Sequence, residues 1–177
     1  MGLDMYLTGI KFIWEEEEGK KIGEVVSCPF SKSVKRVSVE AMYWRKANEI
    51  HGWFVENVQG GTDDCGDYYV SLDKLTELMN LCKKVLDVAK IGHGEVRNGQ
   101  CWKNGEWSDI IEEGITILNQ EEVSDILATK SGFFFGSTDY DQYYLTDIRY
   151  TYERIKEILS IDKKELRRWD FYYNSSW

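Results

Sequence analysis

The two ends of the chain carry the pattern that most limits how it can fold. Residues 2–7 place apolar side chains at every second position, and residues 169–173 do the same with Trp, Phe and Tyr. This two-residue period is typical of a strand with one buried face. The sequence therefore predicts strands at both ends of the chain.

Helical periods dominate the middle of the chain. The first predicted helix has its apolar positions at Tyr43, Ala47, Ile50, Phe54 and Val58. Ser71 is a typical N-cap for a second helix, whose apolar face includes Cys82 as a core residue, and a third helix runs from Leu145 to Leu159. We therefore expect an α+β fold with a mixed or antiparallel sheet packed against about three helices.

Shorter segments give further predictions. The acidic run at 15–18 is interpreted as a hairpin tip, segments 22–26 and 34–39 as strands, and the parity change after Gly9 as a bulge or bend. The Asn-Gly pairs between 95 and 107 favour a hairpin or a pair of tight turns. Further predictions are a strand at 115–118, a brief helix from Asn119 to Leu127, and an aromatic strand at 131–136 that leads into a helix with a capping box formed by Thr138 and Asp141.

Composition limits the class of protein. The chain has 177 residues, one proline and 15 scattered glycines, so no linker is evident and residues 1–177 are predicted to form one domain. A net charge of −9 disfavours binding to nucleic acid. The absence of a long apolar run and of a secretory signal predicts no membrane partner and a cytoplasmic location.

The cysteines fit the same interpretation. Cys28, Cys65, Cys82 and Cys101 form no Cys-x-x-Cys pair, so the spacing does not indicate zinc, and reduced thiols are expected.

One candidate site combines the first predicted helix with the turn that follows it. Its residues are Trp44, Arg45, Asn48, His51, Asp63, Asp64 and Cys65. Trp44, Asn48 and His51 recur at helical spacing, so they could line one wall of a pocket for a planar heterocycle. The alternative is that Asn48 and His51 are core residues bonded to the backbone. A thiol nucleophile at Cys65 with His51 as base, or a metal site, can also be drawn from these residues, although the spacing is diagnostic of neither.

A second candidate group precedes the last predicted helix. It consists of Ser137, Thr138, Asp139, Tyr140 and Asp141. Because two carboxylates there would repel a phosphate, the group suits ribose hydroxyls, an amine, a cation or simple helix capping. Arg45 or Lys46 is the better phosphate contact.

Several of these segments resemble, together, an uncharacterised protein family of bacteriophages and prophages. They are Gly2 to Leu7, the motif from Tyr43 to Phe54, Asp63-Asp64-Cys65, the run from Gly132 to Asp141, and Asp170 to Tyr173 with Ser175-Ser176-Trp177. The resemblance implies a small cytoplasmic accessory protein of phage origin, and such proteins often blunt host defence by sequestering a nucleotide signal.

Three functional hypotheses follow. The first is a non-catalytic protein that sequesters a small nucleotide-like ligand. The second is a hydrolase or transferase that uses His51 with Cys65 or with Asp63 and Asp64. The third is an acidic inhibitor of a basic host protein. The aromatic surplus also suits a homodimer contact.

Overall fold

Six strands and six helices form within residues 2–27, 29 and 33–177, which are the residues that the computed structural model describes. In chain order they are β1 (Asp4–Phe12), α1 (Glu16–Val25), β2 (Arg36–Arg45), α2 (Asn48–Asn57), β3 (Tyr68–Val70), α3 (Leu72–Val88), β4 (Ile91–Lys103), β5 (Glu106–Ile117), α4 (Gln120–Ser124), α5 (Gln142–Ser160), α6 (Lys163–Leu166) and β6 (Asp170–Ser176). The predicted α+β class is confirmed. The free cysteines are Cys65, Cys82 and Cys101, and the prediction for Cys28 lies outside the described residues.

The main sheet joins the two ends of the chain. Its strand order is β2-β1-β6-β3, and every neighbouring pair is antiparallel. The predicted terminal strands β1 and β6 are therefore central neighbours, with Met5 opposite Ser175 and Leu7 opposite Tyr173. Met5 and Leu7 of β1, and Leu3 just before it, are fully buried, because one face of the sheet is covered by helices.

The helices α2, α3 and α5 supply much of the rest of the core, as predicted, together with residues such as Ile117, Val123 and Leu166. Phe54 of α2 stacks on Tyr173 of β6 with ring centroids 3.9 Å apart. Ser71 caps α3 by accepting a hydrogen bond from the Lys74 amide, and Cys82 is fully buried in that helix. Both predictions for α3 are thereby confirmed.

β4 and β5 form a separate two-stranded hairpin, here called the arm. The predicted hairpin is confirmed and is longer than expected. It turns at Asn104 and Gly105, whose φ angles of 52° and 86° match a turn that needs left-handed residues. The other Asn-Gly pair lies at a register irregularity between Arg97 and Gln100, where Gly99 has a φ of 90°.

The predicted starting position of the first helix is wrong. Residues 43–45 end strand β2, and α2 begins only at Asn48. Trp44 is buried by strand alternation with Met42, and Lys46, with a φ of 63°, makes the turn between the two elements. Residues four positions apart lie on the same face of a strand and also on the same face of a helix. The spacing of Tyr43 and Ala47 therefore could not distinguish a strand from a helix.

Four other local predictions are also wrong. The acidic run at 15–18 and the segment 22–26 belong to helix α1, because glutamates in a first turn favour a helix start. The predicted bulge at Gly9 lies instead in β2, where the pairing skips Ala41. Residues 133–135 form a turn rather than a buried strand, and Phe133 is 92% exposed.

The stacked pair in the core gives a stability test. Phe54→Ala removes a fully buried ring that packs on Tyr173, so it should lower the free energy of unfolding by about 3–5 kcal/mol. Phe133→Ala deletes the same ring from an exposed position and should change the free energy by less than about 0.5 kcal/mol. Urea unfolding measures both, and equal losses would contradict the assignment of the core.

Candidate functional site

A cavity of about 680 Å³ lies where the arm, the loop before α5 and the start of α2 meet. Arg45, Lys46 and Glu49 line it from the β2–α2 junction, and Arg97 to Gln100 line it from the arm. The loop contributes Gly132 to Phe134 and Ser137, and α5 with its cap contributes Asp141, Tyr143 and Asp147. The volume is within the range of small-molecule sites in proteins.

Three carboxyl groups of this lining form what we call the acidic cluster: Glu49, Asp141 and Asp147. Glu49 and Asp141 are each only 3% exposed. Glu49 Oε1 and Asp141 Oδ2 have no hydrogen-bond partner among the described residues. The other oxygen of Asp141 caps α5 by accepting hydrogen bonds from the amides of Tyr143 and Tyr144 at 2.8 and 3.2 Å.

Burial and mutual repulsion raise the pKa values of all three carboxyl groups in this cluster. Burial, and after it the charges of Asp147 and Asp141, raises the pKa of Glu49 well above its usual value. Burial and the Asp141 charge raise the pKa of Asp147 to about 7. Burial also raises the pKa of Asp141, although its two capping hydrogen bonds oppose the shift.

Basic side chains lie beside the acidic cluster. Arg45 and Lys46 are exposed and line the same cavity. The Arg97 guanidinium reaches from the arm to the loop, where Nη2 donates to Ser137 Oγ at 3.1 Å and lies 3.3 Å from Asp139 Oδ2. The cavity therefore has an acidic part and a basic part.

Trp44 and Asn48, predicted to line the pocket, are buried structural residues that do not line the cavity. Trp44 Nε1 donates to Thr151 Oγ1 at 2.8 Å. Asn48 Nδ2 donates to the carbonyls of Ser137 and Phe135, and its Oδ1 accepts from the Lys130 amide. The Asn48 side chain thus holds the cavity loop in place by bonding to the backbone of the loop. This is the structural role that the alternative interpretation of Asn48 predicted.

His51 is sealed inside the protein, away from the cavity lining. It is 0% exposed, and its ring nitrogens lie 2.7 Å from Tyr173 Oη and 2.9 Å from Asp63 Oδ2. Because an ionised carboxylate only accepts, Nε2–H donates to Asp63 and Nδ1 accepts from the Tyr173 hydroxyl. Trp177 Nε1 donates to the other Asp63 oxygen at 3.2 Å.

The turn at 63–65 likewise lies outside the cavity lining. Asp64 Oδ1 accepts from the Gly66 amide and from the Tyr68 hydroxyl, which makes it a turn residue. Cys65 is exposed and has a φ of 59°. Among the described residues, no group of three or more His, Cys, Asp and Glu side chains is arranged to hold a metal ion.

The second predicted group is divided. Ser137, Asp139 and Asp141 line the cavity, whereas Thr138 and Tyr140 do not. The Thr138 carbonyl accepts from Thr129 Oγ1, and the Tyr140 hydroxyl accepts from the Thr129 amide. The predicted capping box was misplaced, because Asp141 is itself the N-cap of α5.

Sequence reasoning missed Glu49, Asp147 and Arg97. Glu49 stands beside Ile50, and Asp147 beside Ile148, so each carboxyl is one position from a core residue. A glutamate or aspartate at the edge of an apolar helix face is normally solvated. For Glu49 the only available signal was its position beside the core residue Ile50.

Comparisons with protein-family models, curated proteins and solved structures find no match. The resemblance to a phage family therefore stays a prediction, as do the cytoplasmic location and the homodimer. Within the described residues, none of the helices is both long and apolar enough to cross a membrane.

The acidic cluster should make stability depend on pH. The pKa of Asp147 is about 7 in the folded protein and about 3.9 in an unfolded chain. The folded state therefore binds more protons between these values, and stability falls as the pH rises through that window. Asp147→Asn should raise the melting temperature by a few degrees at pH 8 and by less at pH 5.

The matched control for this test is Glu153→Gln, an exposed charge on the same helix. Thermal melts at the two pH values check the prediction. Equal effects of Asp147→Asn at pH 5 and pH 8 would contradict it.

The sealed imidazole gives a second pH prediction. Burial lowers the pKa of His51, and the Asp63 hydrogen bond only partly opposes this shift. The ring should therefore become protonated only at a lower pH in the folded protein than in the urea-unfolded chain, which NMR of the imidazole ¹³C and ¹⁵N nuclei can measure after assignment against a His93→Gln variant. A His51 ring that titrates at the same pH in both states would refute the sealed network.

Proposed function

We propose that the cavity binds a small nucleotide-like ligand, with the base at the acidic cluster and the phosphate at the basic side chains. The observation that carries the proposal is that one cavity of about 680 Å³ is lined both by the exposed cations Arg45 and Lys46 and by the acidic residues Glu49, Asp141 and Asp147. Nucleobases carry N–H groups that carboxyl oxygens can accept.

The remaining lining suits the other parts of a nucleotide. Arg45 and Lys46 present two positive charges, and a guanidinium can form paired hydrogen bonds with phosphate. Phe133 is almost fully exposed beside Phe134, with ring centroids 4.5 Å apart. An exposed aromatic ring at a cavity offers a stacking surface for a base.

The geometry supports sequestration more than the hydrolase hypothesis. His51 is buried with both ring nitrogens occupied by Tyr173 and Asp63, so within the described residues it makes no hydrogen bond to Cys65. A general base must reach the proton that it removes. A role in blunting host defence remains a proposal that rests on the resemblance.

Titration of AMP, GMP, CMP and UMP by calorimetry, with thermal melts, tests the proposal. At least one nucleotide should bind and raise the melting temperature, since a ligand at 100 times its Kd stabilises by about 2.7 kcal/mol. The double variant Arg45→Gln/Lys46→Gln should weaken that binding at least about tenfold, because it removes both exposed phosphate contacts.

Arg149→Gln is the matched control, since Arg149 is exposed on α5 and does not line the cavity. The bound nucleotide should be recovered unchanged after denaturation. Absence of binding by all four nucleotides would reject the proposed function, and conversion of the nucleotide would reject sequestration.

A further inference from the structure

The outer part of the arm is open to solvent on both of its faces. Every residue from 98 to 111 is exposed except Cys101, which is half-buried. Within the described residues, the two strands pair only with each other along this stretch. A two-stranded hairpin without further packing is only marginally stable in water, and its outer edges can pair with another chain. The outer arm is therefore a segment that gains from a partner surface.

One face of the outer arm carries two tryptophans. Trp102 lies directly opposite Trp107, and their ring centroids are 5.3 Å apart. We call them the tryptophan pair, and they are 60% and 65% exposed. Ile111, four residues from Trp107 in β5, lies on the same face and is also exposed. Tryptophan is enriched among the residues that dominate the binding energy of protein interfaces, so this face has the composition of a contact surface.

Two carboxylates oppose each other further along the same face. Glu95 and Glu113 are direct neighbours in the register of the hairpin, and both are exposed. Neither side chain forms an ion pair or a hydrogen bond within the described part of the chain. Like charges directly opposite each other destabilise a sheet. A cation from outside the protein would therefore stabilise this pair.

The charge of the arm indicates which kind of partner fits. Residues 91–117 include five acidic and two basic side chains, which gives a net charge of −3. One of the two cations, Arg97, already lies 3.9 Å from Asp109 and 3.3 Å from Asp139. A second copy of the chain would bring a net charge of −9 to this acidic surface. Charge complementarity therefore favours a basic partner over self-association.

We propose that the outer arm docks on a protein surface that combines apolar side chains with lysine or arginine. The tryptophan pair packs on the apolar part, and Glu95 and Glu113 accept hydrogen bonds from the basic side chains, which relieves the repulsion between the two carboxylates. None of these four residues lines the cavity, so the inference does not depend on nucleotide binding.

Synthetic peptides provide a partner surface of defined chemistry. A peptide that alternates valine with lysine presents an apolar face and a cationic face when it is extended. It should bind in calorimetry at low salt and shift the tryptophan fluorescence of the protein, and about 300 mM NaCl should weaken the binding at least about fivefold. A valine–glutamate peptide should not bind, and a serine–lysine peptide should bind more weakly because it lacks the apolar face.

Two double variants test the two parts of the surface. Trp102→Ser/Trp107→Ser should weaken binding of the valine–lysine peptide at least about tenfold. Glu95→Gln/Glu113→Gln should weaken it at least about threefold and should reduce its dependence on salt. The exciton signal of the tryptophan pair in circular dichroism should persist in the glutamine variant, which shows that the hairpin is intact while its charge has changed.

Matched controls remove the same side chains from other places. Trp14→Ser deletes a tryptophan that is 87% exposed outside the arm, and Glu56→Gln/Glu153→Gln deletes two exposed charges from α2 and α5. Both controls should bind the valine–lysine peptide as the unmodified protein does.

Several outcomes would overturn the proposal. One is absence of binding by the valine–lysine peptide, and another is binding that both arm variants leave unchanged. Sedimentation velocity that shows a dimer which the tryptophan variant dissociates would make a second copy the partner. Binding to neutral phosphatidylcholine vesicles that the same variant abolishes, without peptide binding, would make the partner a membrane.

Discussion

The antiparallel pairing of β1 with β6 is the constraint on which the rest of the structure depends. It places the two chain ends at the centre of the main sheet and buries Leu7 opposite Tyr173. Tyr173 then provides the ring on which Phe54 of α2 stacks, and its hydroxyl donates a hydrogen bond to His51. Two side chains of α2 are thus fixed against one residue of β6, which sets where this helix begins and which way it faces.

The position of α2 in turn determines the cavity. Asn48, in its first turn, donates to the Phe135 and Ser137 carbonyls and accepts from the Lys130 amide. One amide therefore ties three points of the loop before α5 to the core. Glu49 follows Asn48 in the chain, so the residue that holds the loop also places a carboxyl group at the cavity. This is the physical link between the packing of the sheet and the candidate site.

Much of the fold could be predicted, because terminal strand alternation, the Ser71 cap and the arm turn at Asn104-Gly105 are local signals. The site could be predicted only in part. Ser137, Asp139, Asp141 and Arg45 do line the cavity, since polar residues next to a helix start are recognisable in sequence. Trp44 was placed on the wrong element, and Arg97 reaches the site only through the packing of the arm, which no local pattern encodes.

The acidic cluster lowers the stability of the folded protein. Glu49 is buried in the first turn of α2, where an uncharged residue of similar size would avoid both desolvation and repulsion from Asp147. Only one of its neighbours in the cluster, Asp141, gains from the arrangement, through its capping hydrogen bonds. Local rules that are broken without a structural gain are expected at functional positions. A ligand in the cavity, as proposed above, would supply the gain that Glu49 and Asp147 do not obtain within the protein.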